Sequence, residues 1–231
     1  LNQHIMSIDL IYSISQPLLV VIVLMAFLKF RFEIKSWNLI LKAIALGAVS
    51  SLLIIAFDFV AQSLGYDMLK NLKRSGFYSF VIIGFGSELG KFIFLRYYFL
   101  KRKSFKGSLD GIIYAIFISL GFALVALPLF TLGVFSRPTG MQFLFSYTIA
   151  SIAFAVVLGF FTGLGKHRRN RLVDSLTALG AASFFHGFYY FINLTTDQTI
   201  FILYGIGLLL ISLLLVIKSI NMKDEEAAPR L

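Results

Sequence analysis

The feature that most constrains this chain is a series of seven long apolar blocks joined by short polar loops. The blocks run Ile5–Leu28, Leu39–Leu64, Gly76–Leu100, Ser108–Leu132, Met141–Leu164, Leu172–Leu194 and Thr199–Ile217. Each approaches or exceeds the roughly 20 residues that a helix needs to cross a bilayer. In hydrocarbon every backbone N–H and C=O must be satisfied within the segment, so such blocks are predicted to be helices. The chain therefore reads as all-α, a polytopic membrane helix bundle with about seven transmembrane helices. Charged residues make up only 14% of it, against roughly 25% in a soluble domain. That is too few to coat a water-facing surface.

The loops predict an orientation. Fourteen of the 21 Lys and Arg fall on one side: Lys29, Arg31 and Lys35, then Lys101, Arg102, Lys103 and Lys106, then Lys166, Arg168, Arg169 and Arg171, then Lys218, Lys223 and Arg230. The other side holds Lys70, Lys73, Arg74 and Arg137. The richer side is expected to be cytoplasmic, with the N-terminus out and the C-terminus in. The same distribution accounts for the net charge of +10 without a nucleic-acid partner. No Lys or Arg precedes the first block, and it runs past Pro17 to Phe30, so it is expected to be a permanent span rather than a cleaved signal. Residues 1–220 are expected to form one transmembrane domain, and residues 221–231 a short disordered cytoplasmic tail.

Charged groups at mid-bilayer cost at least ~2.5–3.5 kcal/mol each, so they face a bundle interior and find a partner. The third block holds Glu88 and Lys91 at i, i+3 on one helical face, where they can pair. Glu88 is twelve residues from either end of its block, or roughly 18 Å by helical rise. Gly84, Gly86 and Gly90 around it would let neighbouring helices approach closely. His186 in the sixth block reaches a similar depth on a helix running the other way. Tyr189, Tyr190 and Asn193 continue a polar stripe from it. Asp58 lies near the outer end of its block and is expected to reach the interface. Asp110 is expected to be a helix-start carboxylate, and Pro128 to kink the fourth helix. His4 and His167 lie in polar flanks and carry no signal.

Five strings, in order, resemble the PrsW-type intramembrane proteases, relatives of the glutamate-dependent CAAX-endopeptidase group. Ser87-Glu88-Leu89-Gly90-Lys91 is similar to that family's Glu-Glu-x-x-Lys. Leu109-Asp110-Gly111-Ile112-Ile113-Tyr114 resembles its Asp-Gly-Ile-x-Tyr helix start, and Ser119-Leu120-Gly121-Phe122-Ala123 its Leu-Gly-Phe-Ala run. Val156-Val157-Leu158-Gly159-Phe160-Phe161 and Phe185-His186-Gly187-Phe188-Tyr189 complete the set. The likeness covers roughly Gly84 to Leu194, within a resembling core of about 76–195. It implies Glu88 and His186 as the catalytic pair, with Lys91 as the ion-pair partner of Glu88 and Asn193 and Tyr190 as candidate substrate contacts.

The chain also departs from that pattern. Ser87 stands for the first glutamate of the leading pair, Ala126-Leu127 for a Glu-Asn pair, Ser151 for a second histidine and Tyr190 for an aspartate. With no Cys, one deep His and one mid-membrane carboxylate, a three-ligand metal site is not expected, nor is any other cofactor. The leading expectation is a proteolytically inactive relative that binds another membrane protein or a transmembrane segment in the bacterial plasma (inner) membrane. An active protease using Glu88 and His186 on a single-span, anti-sigma-factor-like substrate is the alternative. A third is a proton or anion transporter lined by Glu88, Lys91 and His186.

Overall fold

The computed structural model describes residues 2–31, 37–136, 141–166, 171–195 and 197–227. Seven long helices account for nearly all of them: α1 Asn2–Arg31, α2 Trp37–Ser63, α3 Leu72–Phe99, α4 Ser108–Thr131, α5 Met141–Leu164, α6 Arg171–Thr195 and α7 Gln198–Ala227. There is no strand among the described residues. Every expected block is recovered, with edges moved by a few residues. At the C-terminus α7 runs on to Ala227, so residues 221–227 extend the last helix where a disordered tail is expected. Pro128 lies inside α4, which continues beyond it to Thr131.

Six of the seven helices are long and apolar enough to cross a membrane. The exception, α6, is 25 residues long. Its polar side chains, among them Asp174, Ser175, Ser183 and His186, are buried within the protein and lower its mean hydropathy. Contacts along its length still set it among the spans. Tyr189 and Asn193 near its end meet Ser146 and Gln142 near the start of α5, so the two helices run antiparallel and share one depth.

The core sits on α4 and α5, whose Phe122, Leu127, Phe130, Phe143, Tyr147 and Phe154 are almost wholly buried. By contrast α7 exposes Ile202, Leu203, Leu209 and Leu214. An apolar surface of that kind belongs against lipid.

Close packing depends on glycine at particular points. A Cβ on Gly121 would stand 2.0 Å from the Ile44 carbonyl oxygen, and one on Gly47 2.0 Å from that of Ile118, so α2 and α4 touch backbone to backbone. The helix ends also sort themselves. Lys166 Nζ donates to the carbonyls of Leu100, at 2.9 Å, and Arg102, at 3.1 Å, which joins the α3–α4 and α5–α6 connections at one end. The α4–α5 connection is tied to α2, α3 and α6 at the other. These two basic connections therefore share an end, as the alternation predicts. Arg31, Lys35, Arg137, His167, Arg168, Arg169, Lys223 and Arg230, together with the His4 side chain, lie outside the described positions or side chains.

Candidate functional site

Glu88 and Lys91 sit on the regular α segment Gly86–Phe94, in the middle of α3. It is flanked by two wider π segments, Tyr78–Phe85 and Leu95–Phe99. Such π insertions are rare and gather at functional sites. Two of the three glycines, Gly84 and Gly90, work as expected, while a Cβ on Gly86 would meet only the Phe57 side chain, at 3.3 Å. A Cβ on Gly84 would lie 2.5 Å from the Ser183 carbonyl oxygen of α6, and one on Gly90 would lie 2.6 Å from that of Ser50 on α2. Gly187 answers from α6, where a Cβ would lie 2.7 Å from Phe80 Cα. This contact of small residues brings the third and sixth helices close enough for their polar side chains to meet.

They do meet. His186 Nδ1 lies 2.7 Å from Glu88 Oε1, and the Lys91 ammonium donates to the same oxygen. A carboxylate facing an ammonium can only accept, so against it Nδ1 carries the imidazole proton and donates. All three side chains are fully buried. One carboxylate, one ammonium and a neutral imidazole sum to no net charge, which is what hydrocarbon depth demands. Lys91 Nζ also reaches Ser119 Oγ at 3.4 Å, and that hydroxyl donates to the Ser151 carbonyl at 3.0 Å. The Phe122 ring lies 4.8 Å from the ammonium, and Phe154 stacks on the imidazole with centroids 4.8 Å apart. The Tyr147 ring covers His186 from the edge at 6.0 Å.

Several polar atoms around this cluster have no hydrogen-bond partner. They are Glu88 Oε2, His186 Nε2 and the hydroxyl oxygens of Ser87 and Ser183, while those of Tyr147 and Ser151 face each other without a well-formed bond. Buried polar atoms are nearly always partnered, so so many in one part of a core is a departure that needs a reason.

The other expected residues stand apart from the pair. Asn193 donates to the Tyr189 carbonyl at 2.8 Å and is approached by Gln142 Nε2 at 3.5 Å. It is two turns from His186, roughly 10 Å along the axis. Tyr190 is fully buried, and its hydroxyl donates to the Ser136 carbonyl. Asp110 accepts from the Lys106 amide at 2.6 Å, the helix-start role expected of it. Asp58 corrects its expectation. It is only 2% exposed, with Tyr78 donating to one oxygen and Gln62 to the other at 2.7 Å. Ser119, Tyr147 and Phe154 are the site residues that sequence reading passes over. Ser119 opens a quoted string and Tyr147 stands one turn before Ser151, but neither has a polarity that hydrocarbon forbids.

Comparison with known proteins gives the family. The model of the family described as PrsW family intramembrane metalloprotease matches residues 35–217. A protein named Protease PrsW from Clostridioides difficile (strain 630) is 27% identical over 136 residues, covering 57% of this chain. The chain spans only 56% of the length of that relative. No solved structure matches.

The family description includes a metal, and the residues here do not fit one. A catalytic zinc needs three protein ligands besides its open position. Glu88 and His186 supply two donors, and Lys91 already places a cation on Glu88 Oε1. The remaining polar neighbours are neutral hydroxyls, and no group of three His, Cys, Asp or Glu converges among the described residues. The match over most of the chain shows that this chain belongs to the PrsW family of intramembrane proteases.

Proposed function

We propose that this chain is a PrsW-family membrane protein that no longer cleaves peptide bonds and instead holds another membrane protein, or a transmembrane segment, as a scaffold or regulatory subunit. One observation carries the reading: Lys91 and His186 both occupy the same oxygen of Glu88, the one fully buried carboxylate among the described residues. Peptide hydrolysis needs a carboxylate free to take a proton from water and a second group to bear the developing charge. Here the base is engaged twice, and the positions that would bring further acidic or imidazole groups hold Ser87, Ala126, Ser151 and Tyr190. The bundle sits in the plasma (inner) membrane with its basic end in the cytoplasm, following the charge asymmetry.

A second reading is favoured by a specific pair of atoms. Glu88 Oε2 and His186 Nε2 are both buried and unpartnered, so a water admitted to either atom would meet an acceptor still open to it. That water would give an active protease with a reduced site.

Co-expression with single-span membrane proteins separates the two. The scaffold reading predicts that Glu88→Gln and His186→Ala leave the pattern of cleavage products unchanged. Loss of a product in either variant would establish the protease and overturn the scaffold.

A further inference from the structure

A second polar network, with Asp58, Tyr78 and Tyr190 buried and Gln62 exposed, lies across the aromatic core from the Glu88–His186 pair, at the end of the bundle that holds the α4–α5 connection. It joins three helices to the backbone of the short connection between α4 and α5. From α2, Asp58 accepts from the Tyr78 hydroxyl of α3 and from Gln62 Nε2. Gln62 Nε2 also donates to the Val134 carbonyl at 3.2 Å. The Tyr78 hydroxyl accepts from the Ser136 amide at 3.1 Å. From α6, the Tyr190 hydroxyl donates to the Ser136 carbonyl. Three backbone groups within residues 132–136 are thus held by side chains from three different helices.

The segment is also shaped to fit. Gly133 adopts a φ of +73°, the left-handed conformation that glycine tolerates best. The chain there folds back on α4, with Val134 N donating to the Leu129 carbonyl at 3.0 Å. This turn drives Phe135 inward until it is 2% exposed. Below it the rings run continuously towards the site. Phe135 meets Phe130 at 4.7 Å, Phe130 meets Tyr147 at 5.7 Å and Tyr147 meets His186 at 6.0 Å. His186 is nine residues from the end of α6 on this side, or roughly 14 Å, and fifteen residues, roughly 22 Å, from its start. This end is the shorter way in.

We propose that Leu132–Ser136 is a latched cover over the Glu88–His186 site, held shut by Asp58 through Tyr78 and Gln62 and by Tyr190, so that water reaches the buried pair only when the latch opens. The inference stands whether or not the site cleaves. Asp58, with no contact to Glu88, has its role as the anchor of the latch. Tyr190, in the position where the resemblance expects an aspartate, spends its hydroxyl on the cover rather than on the site.

The chain contains no cysteine, so a single introduced thiol reports on access without background. Ser151→Cys places a thiol beside the pair, and Thr162→Cys places one on the same helix, towards the opposite end of the bundle and equally buried. A hydrophilic methanethiosulfonate reagent is applied to the full chain, with and without Tyr78→Phe plus Tyr190→Phe. Both substitutions keep the rings and delete only hydroxyls. The two substitutions delete three hydrogen bonds, so the latch predicts that labelling at position 151 accelerates about tenfold or more while position 162 does not change. No acceleration at 151, or an equal acceleration at both positions, overturns it. If the double variant fails to fold, Tyr190→Phe alone carries the same comparison, with about a threefold acceleration expected at position 151.

Discussion

At the scale of single residues, the site separates side chains that work in pairs from side chains that work alone. Ser119 links Lys91 to the Ser151 carbonyl, so it ties α3, α4 and α5 together at the centre of the bundle. Ser119→Ala is expected to lower stability by about 1 kcal/mol, the net value of an ordinary hydrogen bond, measured by thermal unfolding in detergent. Tyr147 is equally buried, and its hydroxyl faces Ser151 without a well-formed bond, so Tyr147→Phe is expected to change stability little. A loss of more than about 1 kcal/mol would show that the hydroxyl holds a water, which would favour the protease reading. Glu88, Lys91 and His186 are legible in the sequence because hydrocarbon rejects their polarity, so their presence at depth demands mutual partners. Asp58 is not legible in the same way. Its position suggests an interface residue, and its partner Tyr78 lies on the next helix, where no periodicity points to it. Tyr190 and Asn193 continue the His186 stripe in sequence, but in space they serve other contacts.

At the scale of elements, the pairing of α3 with α6 rests on Gly84 and Gly187 more than on the hydrogen bond it makes possible. A methyl group at either position meets backbone atoms that cannot move aside. Gly84→Ala and Gly187→Ala are each expected to cost about 1–3 kcal/mol through overpacking. Gly180 lies on the same helix with nothing within 4 Å of its would-be Cβ. Gly180→Ala is therefore expected to be neutral, or stabilising by up to ~1 kcal/mol from helix propensity. Similar losses at all three positions in thermal unfolding would contradict this account of the interface. The helices themselves are legible because length and apolarity suffice to define them. The π segments of α3 are not. Their wider turns answer to packing against neighbouring helices, and that information is not local. Nor is hydropathy enough for α6, whose polar stripe is hidden by the helices it packs against.

At the scale of the whole molecule, alternation of basic loops predicts a sidedness as well as a fold. The structure gathers Leu100, Arg102 and Lys166 at one end. A thiol introduced by Lys103→Cys is expected to react only from the cytoplasmic side, and one introduced by Asp67→Cys only from the other. The reverse pattern would contradict the orientation. The folding stability of the bundle also bears on what its centre is for. Residues retained for catalysis commonly stabilise a fold little or strain it, whereas a closed, neutral cluster is part of what holds the helices together. Removing one partner of a buried ion pair leaves a charge uncompensated, at a cost of about 3–5 kcal/mol, while replacing both with apolar groups of similar size is often tolerated. The most direct measurement is the unfolding stability of Glu88→Met, Lys91→Met and the combined variant, in one detergent and at one pH. A non-catalytic, structural cluster predicts a large loss in each single variant and recovery of most of it in the pair. Single variants as stable as the parent, or more so, would contradict that and mark Glu88 as a residue kept for chemistry.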